Sequence, residues 1–191
     1  MMNMKQLVMK NRSYRRFFQD HRVSMDELRD LVDLARLSAS GANLQGLKYI
    51  LSTTAERNEK IFATLGWAGY LKDWDGPEEG EKPAGYIVVV LDREISKNCF
   101  FDQGIAAQNI LLGAVENGLG GCIFMNIQRP QLCEALDLDE RYELLLVIAI
   151  GKPKEDVRIV PLGEDGSIRY YRDEAGVHYV PKRSLDDIII G

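Results

Sequence analysis

Four short clusters hold the residue types that could do chemistry. The first is Arg12-Ser13-Tyr14-Arg15-Arg16-Phe17. Guanidinium groups are planar, permanently charged donors and a serine hydroxyl adds a short one, so this cluster suits phosphate or other anionic oxygens. A solvated basic turn accounts for the same residues. The second is Ser38-Ala39-Ser40-Gly41-Ala42-Asn43-Leu44-Gln45, whose amide side chains offer donors and acceptors to a heteroaromatic ring. It reads equally as a helix-ending loop that uses Ser, Gly and Asn to satisfy its own backbone. The third is Gly118-Leu119-Gly120-Gly121-Cys122-Ile123-Phe124-Met125. A dinucleotide fingerprint needs a strand, then GxGxxG, then a helix; here the glycines follow a helix and precede a strand, so that reading fails. What they permit is close backbone approach to a flat ligand. The fourth is Lys182-Arg183, a phosphate-binding pair or a solvated one.

Bulk properties narrow the classes. The chain has 191 residues, enough for one domain spanning 1–191 with a real core. Hydrophobic residues make up 46% and charged residues 28%, which is ordinary globular composition. The net charge of −5 argues against a nucleic-acid partner, because phosphate neutralisation needs a basic surface. Cys99, Cys122 and Cys133 form no CxxC pair and leave an odd thiol, so no metal site is expected and a reducing, cytoplasmic setting fits. There are two histidines, His21 and His178, and neither HExxH nor GxSxG occurs. The apolar stretch Leu7-Val8-Met9 is too short for a signal-peptide core, and no run is long enough for a membrane span.

The elements that must position the clusters follow from periodicity. Ser24-Met25-Asp26-Glu27 is a capping box, and Leu28, Leu31, Val32 and Ala35 repeat at helical spacing, predicting a helix over 25–38. A strand over 48–53 and a helix over 55–65 follow. Residues 67–82, with Trp67, Tyr70 and Trp74, read as an irregular excursion. GYIVVVLD at 85–92 is a continuous apolar, β-branched run that suits a strand buried on both faces. Residues 104–116 are apolar nearly all round, predicting a central buried helix. A short strand over 120–125, a helix over 130–136 and a buried strand over 144–151 come next. Residues 167–172 and 177–180 predict a hairpin, and Ser184 opens a short helix. Strands and helices mixed without strict alternation predict an α+β fold, with a central mixed, mainly antiparallel sheet flanked by helices.

The four clusters, in this order, resemble the FMN-dependent nitroreductase family, across essentially the whole chain. Its opening R-[RH]-S-x-[RK]-x-F stretch is matched by Arg12, Ser13, Arg15 and Phe17, and its loop motif by Ser40, Asn43 and Gln45. Its D-x-G-x-A-x-Q-N helix is matched by Asp102, Gly104, Ala106, Gln108 and Asn109, and a G-L-G turn and terminal basic pair complete the pattern. Asn11 stands where the family has its first Arg, and Ala39 and Gly46 replace the usual loop prolines. The C-terminal hairpin with Tyr170 and Tyr171 looks like a short subgroup.

The resemblance implies a nitroreductase-like homodimer with shared FMN sites, NADH or NADPH as donor and a small-molecule acceptor. Arg12, Ser13, Lys182 and Arg183 would cradle the phosphate and ribityl chain, and Arg15 would stabilise reduced flavin. Ser40, Asn43 and Gln45 would approach from the partner subunit, and Gly121, Phe124 and Met125 would line the ring. Alternatives that share the cradle are a flavin-fragmenting or dehalogenating relative and a flavin-binding sensor or store that does not turn over.

Overall fold

The computed structural model describes residues 2–191. In chain order the elements are α1 (Met4–Lys10), β1 (Phe17–Phe18), α2 (Met25–Arg36), β2 (Leu47–Ser52), α3 (Ala55–Phe62), β3 (Gly85–Asp92), α4 (Asp102–Glu116), β4 (Gly120–Phe124), α5 (Arg129–Ala135), β5 (Tyr142–Pro153), β6 (Val157–Pro161), β7 (Tyr171–Arg172) and β8 (His178–Lys182).

A strand with no polar face must be covered on both sides. β3 is buried along its whole length, between β2 and β5. β5 also pairs with β4 and β1, and every named pairing of this five-stranded sheet is antiparallel. One face carries α2 and α4: Leu28 and Leu31 meet Ile110 and Ala114 over Ile87, Val89, Ile148 and Ile150. The other carries α3 and α5: Ile61 and Leu132 lie over Tyr86, Val88, Val147 and Ala149. Each fully buried aliphatic side chain here contributes about 1.5–3 kcal/mol. The pairing of β3 with β5 shifts register between Val89 and Val90, where Leu144 and Leu146 are not separated by the usual alternation. That bulge sends Leu146 into the α2/α4 layer and Leu144 into the α3/α5 layer.

The α+β architecture and its mainly antiparallel central sheet are as expected, and parallel pairing occurs between β6 and β8 in the small C-terminal sheet. Other expectations need correction. The helix placed at 25–38 stops at Arg36, and Ser38 Oγ instead donates to the Leu34 carbonyl at 2.9 Å. α1, β1 and β6 were not anticipated. The strand expected over 167–172 shrinks to Tyr171–Arg172. After β8, Ser184 and Asp187 make reciprocal capping contacts at 3.1 and 3.2 Å, yet only a turn forms, since one hydrogen-bonded turn cannot offset the cost of nucleating a helix. α4 is buried on its core face but not all round: Phe101 just before it and Ile105 within it are 83% and 38% exposed.

Candidate functional site

The Arg12–Arg15 stretch is fixed by what precedes and flanks it. α1 opens with a capping box in which Asn3 and Gln6 satisfy each other's backbone N–H groups. After Asn11 the chain runs alongside β4: Ser13 bridges Gly121, and the Tyr14 N–H donates to the Gly121 carbonyl at 3.0 Å. The Tyr14 hydroxyl donates to the Lys10 carbonyl at 2.8 Å, tying this stretch to the end of α1.

This arrangement opens a cavity of about 270 Å³ lined by Arg12, Ser13, Arg15, Gln108, Tyr170 and Lys182, with Asn11 and His178 in its wall. Arg12 donates from one terminal nitrogen to the Val8 carbonyl at 2.9 Å, while its Nε is buried without a partner. Burial pulls its pKa down from the usual guanidinium value. Arg15 donates to the Ser13 carbonyl at 3.2 Å, and its guanidinium lies over the Tyr170 ring. Lys182, at the end of β8, reaches the same cavity, whereas Arg183 follows it into an exposed tail and does not line it. Arg16 is spent elsewhere, holding the Glu81 carboxylate in a two-point pair that Lys154 joins at 2.9 Å. Glu81 is thereby pushed down to about 2, chiefly by the Arg16 hydrogen bond.

The Ser40–Gln45 loop occupies a different place. A 3-10 turn spans Gly41–Asn43, and Ala42, Asn43 and Gln45 all have positive φ (48°, 55° and 54°). Asp102, at the start of α4, holds it: its carboxylate accepts from Ser40 Oγ at 2.7 Å and from the Gly41 N–H at 2.9 Å. Ser40 Oγ in turn accepts the Gln45 N–H at 2.9 Å. Ser40 and Gln45 border a separate cavity of about 200 Å³, and Asn43 and Gln45 are exposed. Within one chain, therefore, Arg12, Ser13, Arg15 and Lys182 come together, while Ser40, Asn43 and Gln45 lie apart from them. α4 runs between the two groups, giving Gln108 to one cavity and Asp102 and Ala106 to the other.

The third cluster divides by side chain. A Cβ on Gly121 would sit 2.2 Å from the Ala149 carbonyl oxygen and 2.8 Å from Leu111, so the protein's own packing demands glycine there. Phe124 is 4% exposed and packs edge-on against Trp67 at 4.6 Å, leaving only its backbone for a ligand. Met125 is exposed and lines a concavity of about 760 Å³ with Phe101, Ile105 and Ile123. In the excursion, Trp67 and Trp74 pack on each other, and Arg172 lies over Trp74 at 4.3 Å. Tyr70 instead meets the Tyr170 ring at 4.9 Å.

Sequence reading missed a buried cluster behind the cavity. Glu155 accepts the backbone N–H of Arg15 and a guanidinium hydrogen bond from Arg172 at 3.0 Å. Burial pushes its carboxyl pKa up, but His178, the Arg15 N–H and Arg172 outweigh that and hold it below the usual range. Glu155 follows β5 without any motif, and its partners lie far along the chain, so spacing gave no signal. Among the described residues no cluster of three or more His, Cys, Asp or Glu side chains could hold a metal. No helix there is long and apolar enough to cross a membrane.

Residues 81–152, which run from β3 through β5, match the model of the Nitroreductase family. A solved Nitroreductase Family Protein from Streptococcus pneumoniae superposes with a TM-score of 0.74 at 16% identity, covering 99% of this chain and 100% of that one. The fold is nitroreductase-like. An FMN-dependent nitroreductase from Clostridium difficile shares this nitroreductase-like fold with a TM-score of 0.64 at 24% identity, over 80% of this chain and 89% of that one. The Bacillus subtilis protein named as NAD(P)H nitroreductase YodC is 24% identical over 164 residues, which is 68% of this chain and 79% of that protein. The resemblance read from dispersed cationic and amide residues thus recurs in a family match, in a curated relative and in the nitroreductase-like fold itself.

Proposed function

We propose that the chain is an FMN-dependent oxidoreductase that takes reducing equivalents from NADH or NADPH and passes them to a small acceptor such as a nitro compound or quinone. The observation that carries this reading is the cavity that gathers Arg12, Ser13, Arg15, Gln108 and Lys182. Its donor set fits FMN: the Arg12 guanidinium, the Lys182 ammonium group and the Ser13 hydroxyl suit a phosphate, and the unpartnered Arg12 Nε is a donor still to be used. Arg12, Ser13 and Lys182 would hold the phosphate end. Arg15 would stand where negative charge gathers on reduction, favouring the reduced form. Bound FMN would supply the hydride chemistry, accepting from the nicotinamide and then donating to the acceptor at the same place, a ping-pong cycle. The residues need supply no acid–base triad.

Ser40, Asn43 and Gln45 lie outside the cavity of their own chain, and this supports a site completed by a second copy. The apolar flank of α4 supports the same dimer, with Phe101, Ile105 and Met125 exposed on one side of a single chain. The free thiols of Cys99, Cys122 and Cys133 suit a reducing compartment such as the cytoplasm.

Purified protein tests the reading through its visible spectrum. Yellow protein that bleaches anaerobically with NADH or NADPH, and recolours with a quinone or nitroaromatic, supports it. Yellow protein that neither NADH nor NADPH bleaches points instead to a flavin-binding sensor or store. Colourless protein that cannot be reconstituted with FMN overturns it. Sedimentation of the holoprotein should give twice the mass of one chain.

A further inference from the structure

His178 is fully buried, yet neither ring nitrogen has a hydrogen-bond partner. Leaving a buried polar group unpaired costs about 1–3 kcal/mol, so a purely structural role at this position would favour an apolar ring of similar shape. The backbone cannot swing the ring away, because β8 pairs at His178 with both Val157 and Arg172 and its N–H donates to the Asp156 carbonyl at 2.8 Å. Nδ1 lies 3.7 Å from the buried Glu155 carboxylate, just beyond hydrogen-bond range. The ring also packs at 5.2 Å against Tyr170, which the Arg15 guanidinium overlies. His178 belongs to the wall of the cavity that holds Arg12, Ser13, Arg15 and Lys182.

An ionised Glu155 on the Nδ1 side favours the proton there, which leaves Nε2 as the free acceptor of a ring in the cavity wall. A hydroxyl both donates and accepts, so it can pair with Nε2 whether or not the ring carries a second proton.

We propose that His178 is a ligand-binding residue of this cavity, hydrogen-bonding a hydroxyl of the polyol chain next to the phosphate held by Arg12, Ser13 and Lys182, with Glu155 fixing the ring. In identifying that polyol as the ribityl chain of FMN, the inference rests on the functional reading above.

The test compares binding of FMN, riboflavin and lumiflavin, the last lacking the ribityl chain, to the full-length apoprotein and to His178→Phe by fluorescence quenching. FMN and riboflavin should bind about tenfold more weakly to the variant, the equivalent of one hydrogen bond of about 1.4 kcal/mol. Lumiflavin should be unaffected. His178→Gln, which keeps a hydrogen-bonding side chain, should bind FMN closer to wild type. Equal loss for all three flavins, or no loss, overturns the proposal while leaving the flavin reading standing. Ribitol 5-phosphate separates the two ideas further, with the imidazole signals of His21 and His178 followed by NMR. If no flavin binds but this probe moves the His178 signal alone, the flavin reading falls and the role of His178 stands. If neither FMN nor the probe moves that signal, the role falls.

Discussion

The guanidinium of Arg15 lies 4.8 Å from the centre of the Tyr170 ring, so a residue from the start of the chain rests on one from its C-terminal hairpin. Tyr170 is braced by Tyr70 at 4.9 Å and by His178 at 5.2 Å, and the Arg15 backbone is anchored on Glu155. A cation–π contact contributes about 0.5–2 kcal/mol, enough to fix one orientation of an otherwise mobile side chain. The position of the proposed flavin-facing charge is therefore set by elements more than a hundred residues away.

If Arg15 stabilises reduced flavin, Arg15→Ala should lower the midpoint potential of bound FMN by about 30–60 mV, taking 1.4 kcal/mol as about 30 mV for a two-electron couple. Tyr170→Leu, which keeps the charge but removes its platform, should give a smaller drop. Redox titration with indicator dyes reads both. An unchanged potential in Arg15→Ala would remove that residue from its proposed role.

Asp102 holds the Ser40–Gln45 loop through two hydrogen bonds, and that loop keeps three non-glycine residues at positive φ. Left-handed backbone costs about 1 kcal/mol per residue and persists only where the surroundings enforce it. Asp102→Ala should therefore release the loop and weaken both dimerisation and FMN binding. The far-ultraviolet circular dichroism should stay that of the native fold. Sedimentation and flavin titration together would show it; loss of the whole fold would mean that Asp102 serves the core instead.

Gly121→Ala should destabilise the fold by about 3 kcal/mol, because the new methyl group meets the Ala149 carbonyl oxygen at 2.2 Å inside the sheet. Chemical denaturation of the apoprotein measures this without any ligand. Near-normal stability combined with lost FMN would instead place the demand for glycine on the ligand side.

Glu81 carries a folded-state pKa of about 2, below the ordinary value of 4.5, through Arg16 above all and Lys154. A depressed carboxyl contributes stability that is present above its unfolded value and lost as pH falls through the folded one. Stability should thus decline between about pH 4.5 and 2. Glu81→Gln should be less stable at neutral pH, by about 1 kcal/mol given the solvent exposure of Arg16, and should lose less on acidification. Urea midpoints at pH 7 and pH 3 decide the matter.

From α2 to β5 the fold was legible because its signals are local. β3 is apolar without interruption, α2 begins with a capping box, and Pro130 marks the first turn of α5. α1 escaped notice because it buries none of its residues and so shows no apolar stripe. β1 is two residues long, and β6 exists only through pairing with a strand some twenty residues later. The cationic half of the site could be read because Arg12, Ser13 and Arg15 lie together in the chain. Glu155, Tyr170 and His178 could not be linked to them, since only the C-terminal sheet folds them behind the same cavity.

The bulge opposite Val89 and Val90 means that β5 serves both hydrophobic layers, with Leu146 on one side and Leu144 on the other. Neither layer can come apart while the other stays intact, because they share one strand as a common spine. The amides of β3 and β5 should accordingly be the last to exchange in deuterated water, and should do so as a single cooperative group. Loops built around that spine can vary in sequence and mobility without loosening the frame that holds them.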